Sequence, residues 1–106
     1  MIPLFKIGTD IVKISRIEKS IKNESFLKEV YTEGEIRHCK KAESFAGVFA
    51  AKEAYFKALG TGIKRPICKV EILYNEDGKP YLSNVKNSDV SISHDGEYAI
   101  ATVILW

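Results

Sequence analysis

Polar and apolar positions follow two clear rhythms along the chain, and each predicts a different element. Residues 4–12 set Phe5, Ile7, Thr9 and Ile11 against Lys6, Gly8, Asp10 and Val12, the period of two that marks a β-strand with one apolar face and one face carrying Asp10. Residues 44–62, SFAGVFAAKEAYFKALGTG, bring back Phe45, Val48, Phe49, Phe56 and Leu59 at three- and four-residue spacings. That stripe predicts a long amphipathic helix facing the core. Gly47, Ala50, Ala51, Ala54 and Ala58 gather on its other side, a face with so little bulk that another backbone or a ligand can come close. Lys52 falls within the apolar stripe and is expected to lay its stem on the core and keep its ammonium in solvent. Gly60 stands where a left-handed helix stop belongs.

Shorter elements fill the rest. Ser15 followed by Glu18 reads as a capping box opening a helix through Ile14, Ile17 and Ile21, with Lys13, Arg16, Lys19 and Lys22 outside. Those cations are either a solvated face or a docking face for an acidic protein. Residues 23–31 read as a second short helix with Phe26, Leu27 and Val30 inward. Thr32 and Glu35 make another capping box, leading toward Cys39 and a His38 expected to be a surface residue without a partner. Beyond Gly62 the pattern turns to strands. Residues 68–83 predict a hairpin through Asn75-Glu76-Asp77-Gly78, and residues 86–89 a loop. Residues 91–94 and 98–106 then flank a second hairpin turn at Asp95-Gly96. The last strand, YAIATVILW, is apolar on both faces, which suits a central or interface-buried position.

Composition narrows the class without choosing a function. At 106 residues and 45% hydrophobic content, residues 1–106 fit a single domain with a modest core, for which oligomerisation is a natural way to bury more surface. A net charge of +2, with no Lys/Arg run interleaved with aromatics, argues against a nucleic-acid partner. Cys39 and Cys68 lack CxxC spacing and read as two reduced thiols. The start, MIPLFKIGTD, has no apolar signal core, and no stretch is long enough to span a bilayer, so a cytoplasmic protein without membrane contact is expected.

Candidate chemistry centres on the long helix. Glu53 and Lys57 lie one turn apart beside the phenylalanine stripe. They are either an i, i+4 bridge worth about 0.2–0.5 kcal/mol, or a cation-holding carboxylate beside an anion-holding ammonium. The second arrangement would suit a phosphate ester carrying magnesium. Asp10 sits in a predicted strand, where aspartate is disfavoured, with Gly8 clearing space on its face; it is either a strand-end turn residue or a second oxygen ligand. The glycine loop at Gly60-Thr61-Gly62 is no P-loop, because it follows a helix C-terminus whose dipole repels anions. His94 ends a strand beside a turn, a place for a functional histidine but more often for a hydrogen-bonded structural one.

In combination, Gly8-Thr9-Asp10-Ile11-Val12, FAGVFAAKEAYFKALGTGI, GKPYL at 78–82 and Ser91-Ile92-Ser93-His94 closely resemble the holo-acyl-carrier-protein synthases, the short branch of the phosphopantetheinyl transferases, over nearly the whole chain. The resemblance implies an α+β fold, with an antiparallel sheet wrapped around a long central helix. It implies an enzyme of fatty acid and lipid metabolism that moves the 4'-phosphopantetheine arm of coenzyme A to a serine of apo acyl carrier protein, leaving adenosine 3',5'-bisphosphate. By the same resemblance Asp10 and Glu53 hold magnesium, and Lys57 contacts the coenzyme A phosphates. Gly60, Thr61 and Gly62 form the loop beside the nucleotide, His94 lies near the bound cofactor, and Arg16 docks the acidic carrier protein. A homotrimer with active sites at its subunit interfaces is implied as well. Val48 departs from the family pattern, which often has a basic residue there; Lys52 or Lys41 is expected to take over. The segment between Cys39 and Phe45 is also short for the family. A non-catalytic domain that binds a nucleotide or carrier protein would predict loss of Asp10, Glu53 or Lys57, and all three are present.

Overall fold

A computed structural model describes residues 4–106; Met1 to Pro3, part of the stretch read above as lacking a signal core, lie outside the described residues. The chain runs β1 (Lys6–Lys13), α1 (Ile14–Ser20), α2 (Glu24–Val30), α3 (Glu33–His38), α4 (Ala42–Leu59), β2 (Ile72–Tyr74), β3 (Pro80–Leu82), β4 (Ser88–Asp95) and β5 (Tyr98–Leu105). β1, β5 and β4 form an antiparallel sheet in that order, and β2 pairs with β3 in a small second sheet. This is the expected α+β architecture, with the sheet laid on α4. β5 takes the central place that its doubly apolar sequence predicted.

Helix α4 is buried nearly all round. Its small-residue face meets backbone: Ala50, Ala51, Ala54 and Ala58 are buried with Ala99, Ala101 and Val103 of β5. β1 comes so close that a Cβ on Gly8 would run into the Ala54 carbonyl and stand 2.6 Å from the Ala58 nitrogen. The phenylalanine stripe faces the short helices, with Phe26 tilted against Phe49 at 6.0 Å and Phe45 edge-on to Tyr31 at 5.2 Å. Gly60 closes α4 in the left-handed conformation at φ 76°.

β1 turns its Gly8, Asp10 and Val12 side onto α4, so its apolar side points away from the core. Phe5, Ile7 and Ile11 are 62%, 68% and 62% exposed, alongside Ile100 and Tyr98 of β5. In a lone protomer this leaves an apolar strip on the outer face of the sheet.

Several expectations need correction. Lys52 does not reach solvent: its side chain is fully buried, donating to Glu35 Oε1 at 2.6 Å and to the Val30 carbonyl at 2.5 Å. Glu35, equally buried, accepts from the Thr32 amide at 2.9 Å and the Ile72 amide at 2.7 Å. A buried carboxylate with that many donors outcompetes water for the ammonium. The Ser15 and Glu18 capping box is not formed. Strand β1 runs directly into α1 with Lys13 as N-cap, and Ile14 N–H donates to the Glu97 carbonyl at 2.7 Å, so a neighbouring turn does the capping. Ser88 and Asp89 belong to β4 rather than to a loop, paired opposite Leu105 and Ile104. The first hairpin pairs only from Ile72, because residues 67–69 form a 3-10 turn. His38 is exposed but stacks on Tyr74 with ring centres 3.9 Å apart. The Thr32 and Glu35 box, both hairpins and the two free thiols agree with the sequence reading.

Candidate active site

Asp10 is brought to Lys57 by the contact that Gly8 permits. With β1 backbone lying on α4, the next inward side chain of the strand meets the helix one turn beyond Glu53. Lys57 Nζ donates to Asp10 Oδ1 at 3.1 Å and to the Thr9 carbonyl at 3.0 Å. Lys57 therefore reaches across to the strand, and among the described residues it forms no ion pair with Glu53, so the simple helix bridge is not what this pair makes. The Asp10 side chain is 16% exposed and that of Lys57 56%.

Glu53 stands partly sheltered beside them. Burial raises its acid above the ordinary carboxylate range, the charge of Asp10 adds to the rise, and Lys57 and Arg16 oppose it. The Asp10 charge that makes Glu53 harder to ionise is one that a dication between the two would relieve. The donors are hard oxygens on two rigid elements. Among the described residues no three or more His, Cys, Asp or Glu side chains gather as a ready ligand group. A cation held here would lean on two protein carboxylates and fill its shell with water and phosphate oxygens, as magnesium does.

The other expected site residues lie farther off. Arg16 sits on α1 with its guanidinium 5.7 Å from the Phe49 ring, close enough for its charge to act on Glu53. Gly60, Thr61 and Gly62 form an exposed loop past the end of α4, Gly62 having φ 74°, and a Cβ on either glycine would meet open space. His94 belongs to the opposite end of the helix. Its ring nitrogen Nε2 lies 2.9 Å from the Glu43 carbonyl, and because a carbonyl only accepts, Nε2 carries the proton. Gly47 allows this approach, since a Cβ there would stand 2.9 Å from Nε2. From Gly47 to Gly60 the helix rises about 20 Å. Glu53 and Lys57 stand between these ends, about 9 Å and about 15 Å along the axis from Gly47, and β5 separates the strand of His94 from that of Asp10.

Around His94 the structure adds residues the sequence reading missed. A cleft of about 220 Å³ is lined by His38, Ser44, Tyr74, Pro80, Ile92 and His94. The stacked His38 and Tyr74 rings come from α3 and β2, and nothing local in either segment signals the pairing. The substitute for a basic residue at Val48 also narrows. Val48 is wholly buried and Lys52 is committed to Glu35, which removes Lys52; Lys41, the exposed N-cap of α4, remains.

Comparison with known proteins agrees with this architecture. The sequence profile of the 4'-phosphopantetheinyl transferase superfamily matches residues 6–103. A holo-[acyl-carrier-protein] synthase of Nautilia profundicola is 46% identical, over 93% of this chain and 97% of that protein. One of Fusobacterium nucleatum is 40% identical over 93% and 96%. Among solved structures, Helicobacter pylori holo-[acyl-carrier-protein] synthase in complex with coenzyme A superposes with a TM-score of 0.84 at 38% identity, covering 92% of this chain and 96% of that one. The Bacillus anthracis synthase in complex with CoA (3',5'-ADP) gives 0.82 at 39%, covering 94% of each chain.

Proposed function

This chain belongs to the 4'-phosphopantetheinyl transferase superfamily, and on that premise we propose that it transfers the phosphopantetheine arm of coenzyme A to a serine of apo acyl carrier protein, releasing adenosine 3',5'-bisphosphate. The observation that carries the reading is the meeting of Asp10, Glu53 and Lys57 where β1 crosses α4. Asp10 and Glu53 would hold magnesium, which when bound supplies positive charge to the pyrophosphate and makes the attacked phosphorus more electrophilic. The serine oxygen forms the new phosphorus–oxygen bond as the bridging bond of the pyrophosphate breaks, and the leaving bisphosphate takes up negative charge. Lys57, with a flexible stem and more than half of its side chain in solvent, would offset that charge. The open backbone at Gly60, Thr61 and Gly62 lets a nucleotide lie close. The basic face of α1 around Arg16 complements an acidic carrier protein.

His94 serves the same reaction from a neighbouring copy. The exposed strip of Phe5, Ile7, Ile11, Tyr98 and Ile100 favours association, and a homotrimer would set one protomer's His94 cleft against the next protomer's metal pair. The whole chain then acts as one catalytic domain per protomer. Among the described residues no helix is long and apolar enough to cross a membrane; a cytoplasmic site for the reaction is part of the same proposal.

Intact-mass spectrometry of apo acyl carrier protein, incubated with this protein, coenzyme A and magnesium, tests the reading. The carrier should gain one phosphopantetheine arm, and Asp10→Ala, Glu53→Ala or EDTA should each cut the rate at least a hundredfold. A folded protein that binds coenzyme A yet transfers nothing would make this an inactive binding domain instead.

A further inference from the structure

Lys57 is spending its donors on β1. Of the three N–H bonds of its ammonium, one goes to the Thr9 carbonyl at 3.0 Å and one to Asp10 Oδ1 at 3.1 Å. Those are contacts to protein acceptors, one of them the carboxylate read above as a metal ligand, whereas a role at a pyrophosphate needs the same donors turned outward. The ammonium and a dication cannot both be strongly held by Asp10, since at a separation of about 4 Å in a half-sheltered site their repulsion weakens binding at least severalfold. The pair is also easy to part. Lys57 is more than half in solvent and its stem has four rotatable bonds, so its ammonium can leave Asp10 for water or another acceptor without unpacking the core.

Resting on the reading of Asp10 and Glu53 as the metal pair, we propose that Lys57 is a built-in counter-ion that competes with the divalent cation for Asp10, and that a diphosphate-bearing donor relieves the competition by drawing Lys57 away. The two ligands then load together. By linkage, whatever factor the donor adds to the affinity for the cation, the cation adds to the affinity for the donor. The site resists filling with metal alone, and the carrier's serine meets it only when donor and cation are both in place. The opposite role would have Lys57 pin Oδ1 so that Oδ2 faces the cation. The two roles differ in the sign of one measurement.

That measurement is a titration with Mn2+, following free Mn2+ by electron paramagnetic resonance, with and without coenzyme A and with no carrier protein present. Wild type, Lys57→Met, Lys57→Arg and Asp10→Asn are compared after circular dichroism has confirmed their folding; Lys57 is exposed, so its replacement should leave the fold intact. Without coenzyme A, Lys57→Met is expected to bind Mn2+ about fivefold tighter than wild type or more, and Lys57→Arg to bind as wild type does. Coenzyme A should tighten Mn2+ binding by a larger factor in wild type than in Lys57→Met. Equal or weaker binding by Lys57→Met overturns the competition and makes Lys57 an orienting residue for Asp10. A different result overturns the metal reading beneath it: Asp10→Asn binding Mn2+ as tightly as wild type, or wild type binding none under either condition.

Discussion

Lys52 and Glu53 are adjacent in sequence and opposite in fate: one is sealed beneath α4 and the other is left at the edge of the site. Burial lowers the Lys52 pKa, and the charge and hydrogen bond of Glu35 oppose the fall. Because Glu35 also takes the amides of Thr32 and Ile72, this one ion pair joins α2, α3, β2 and the helix that carries Glu53. Lys52→Met, which strands the carboxylate, and Glu35→Gln, which strands the ammonium, should each cost about 3–5 kcal/mol in urea unfolding at neutral pH. The double variant should lose less than the sum of the two; strict additivity would mean the pair is not coupled. Here lies the limit of reading the sequence by residue. Asp10 and Glu53 were legible because each strains a local rule, a carboxylate in a strand or beside an apolar stripe. Lys52 obeys the local rule for a snorkelling lysine, and the partner that overrides it lies 17 residues away.

At the scale of elements, period and turn chemistry sufficed wherever the determining contacts are local. The two-residue rhythm of β1, the helical stripe of α4 and the glycine turns of both hairpins depend on neighbours in the chain, and all were legible. The start of α1 was not, because the group that satisfies Ile14 N–H is the Glu97 carbonyl, supplied by the β4–β5 turn, adjacent in space but remote in sequence. Nor does alternation alone say which side of β1 faces the core. The deciding feature is Gly8, whose missing side chain lets β1 lie on Ala54 and Ala58. Gly8→Ala must therefore separate strand from helix, at a cost of about 1–3 kcal/mol for overpacking. It should also carry Asp10 away from Glu53 and Lys57. Transfer rate at saturating coenzyme A is expected to fall at least tenfold at temperatures well below the melting point. A variant that loses stability but keeps its rate would show that the strand's seat on the helix does not position the carboxylate.

For the whole molecule, the question is why residues that resemble one catalytic set are spread along the length of α4. His94 and its cleft lie at the N-terminal end of α4 beside Gly47, with Glu53 about 9 Å, Lys57 about 15 Å and the glycine loop about 20 Å further along the axis. The outer face of the sheet, with Ile7 and Ile11 of β1 beside Ile100 and Tyr98 of β5, gives the means to bring the halves together from different copies. This strip was legible only in part, since the doubly apolar last strand fits both a central place and an interface, and the apolar face of β1 did not declare its direction. If each site takes Asp10 from one protomer and His94 from the next, two separately crippled variants can rescue each other. Asp10→Ala and His94→Ala are first shown to be impaired alone, then unfolded, mixed in equal amounts and refolded together. Random assembly into rings leaves about one interface in four with both residues intact, so the mixture should regain about a quarter of wild-type transfer, measured by the mass gain of the carrier protein. A mixture no more active than its parents would place both residues in sites that do not cross between copies, and the apolar strip would then need another partner.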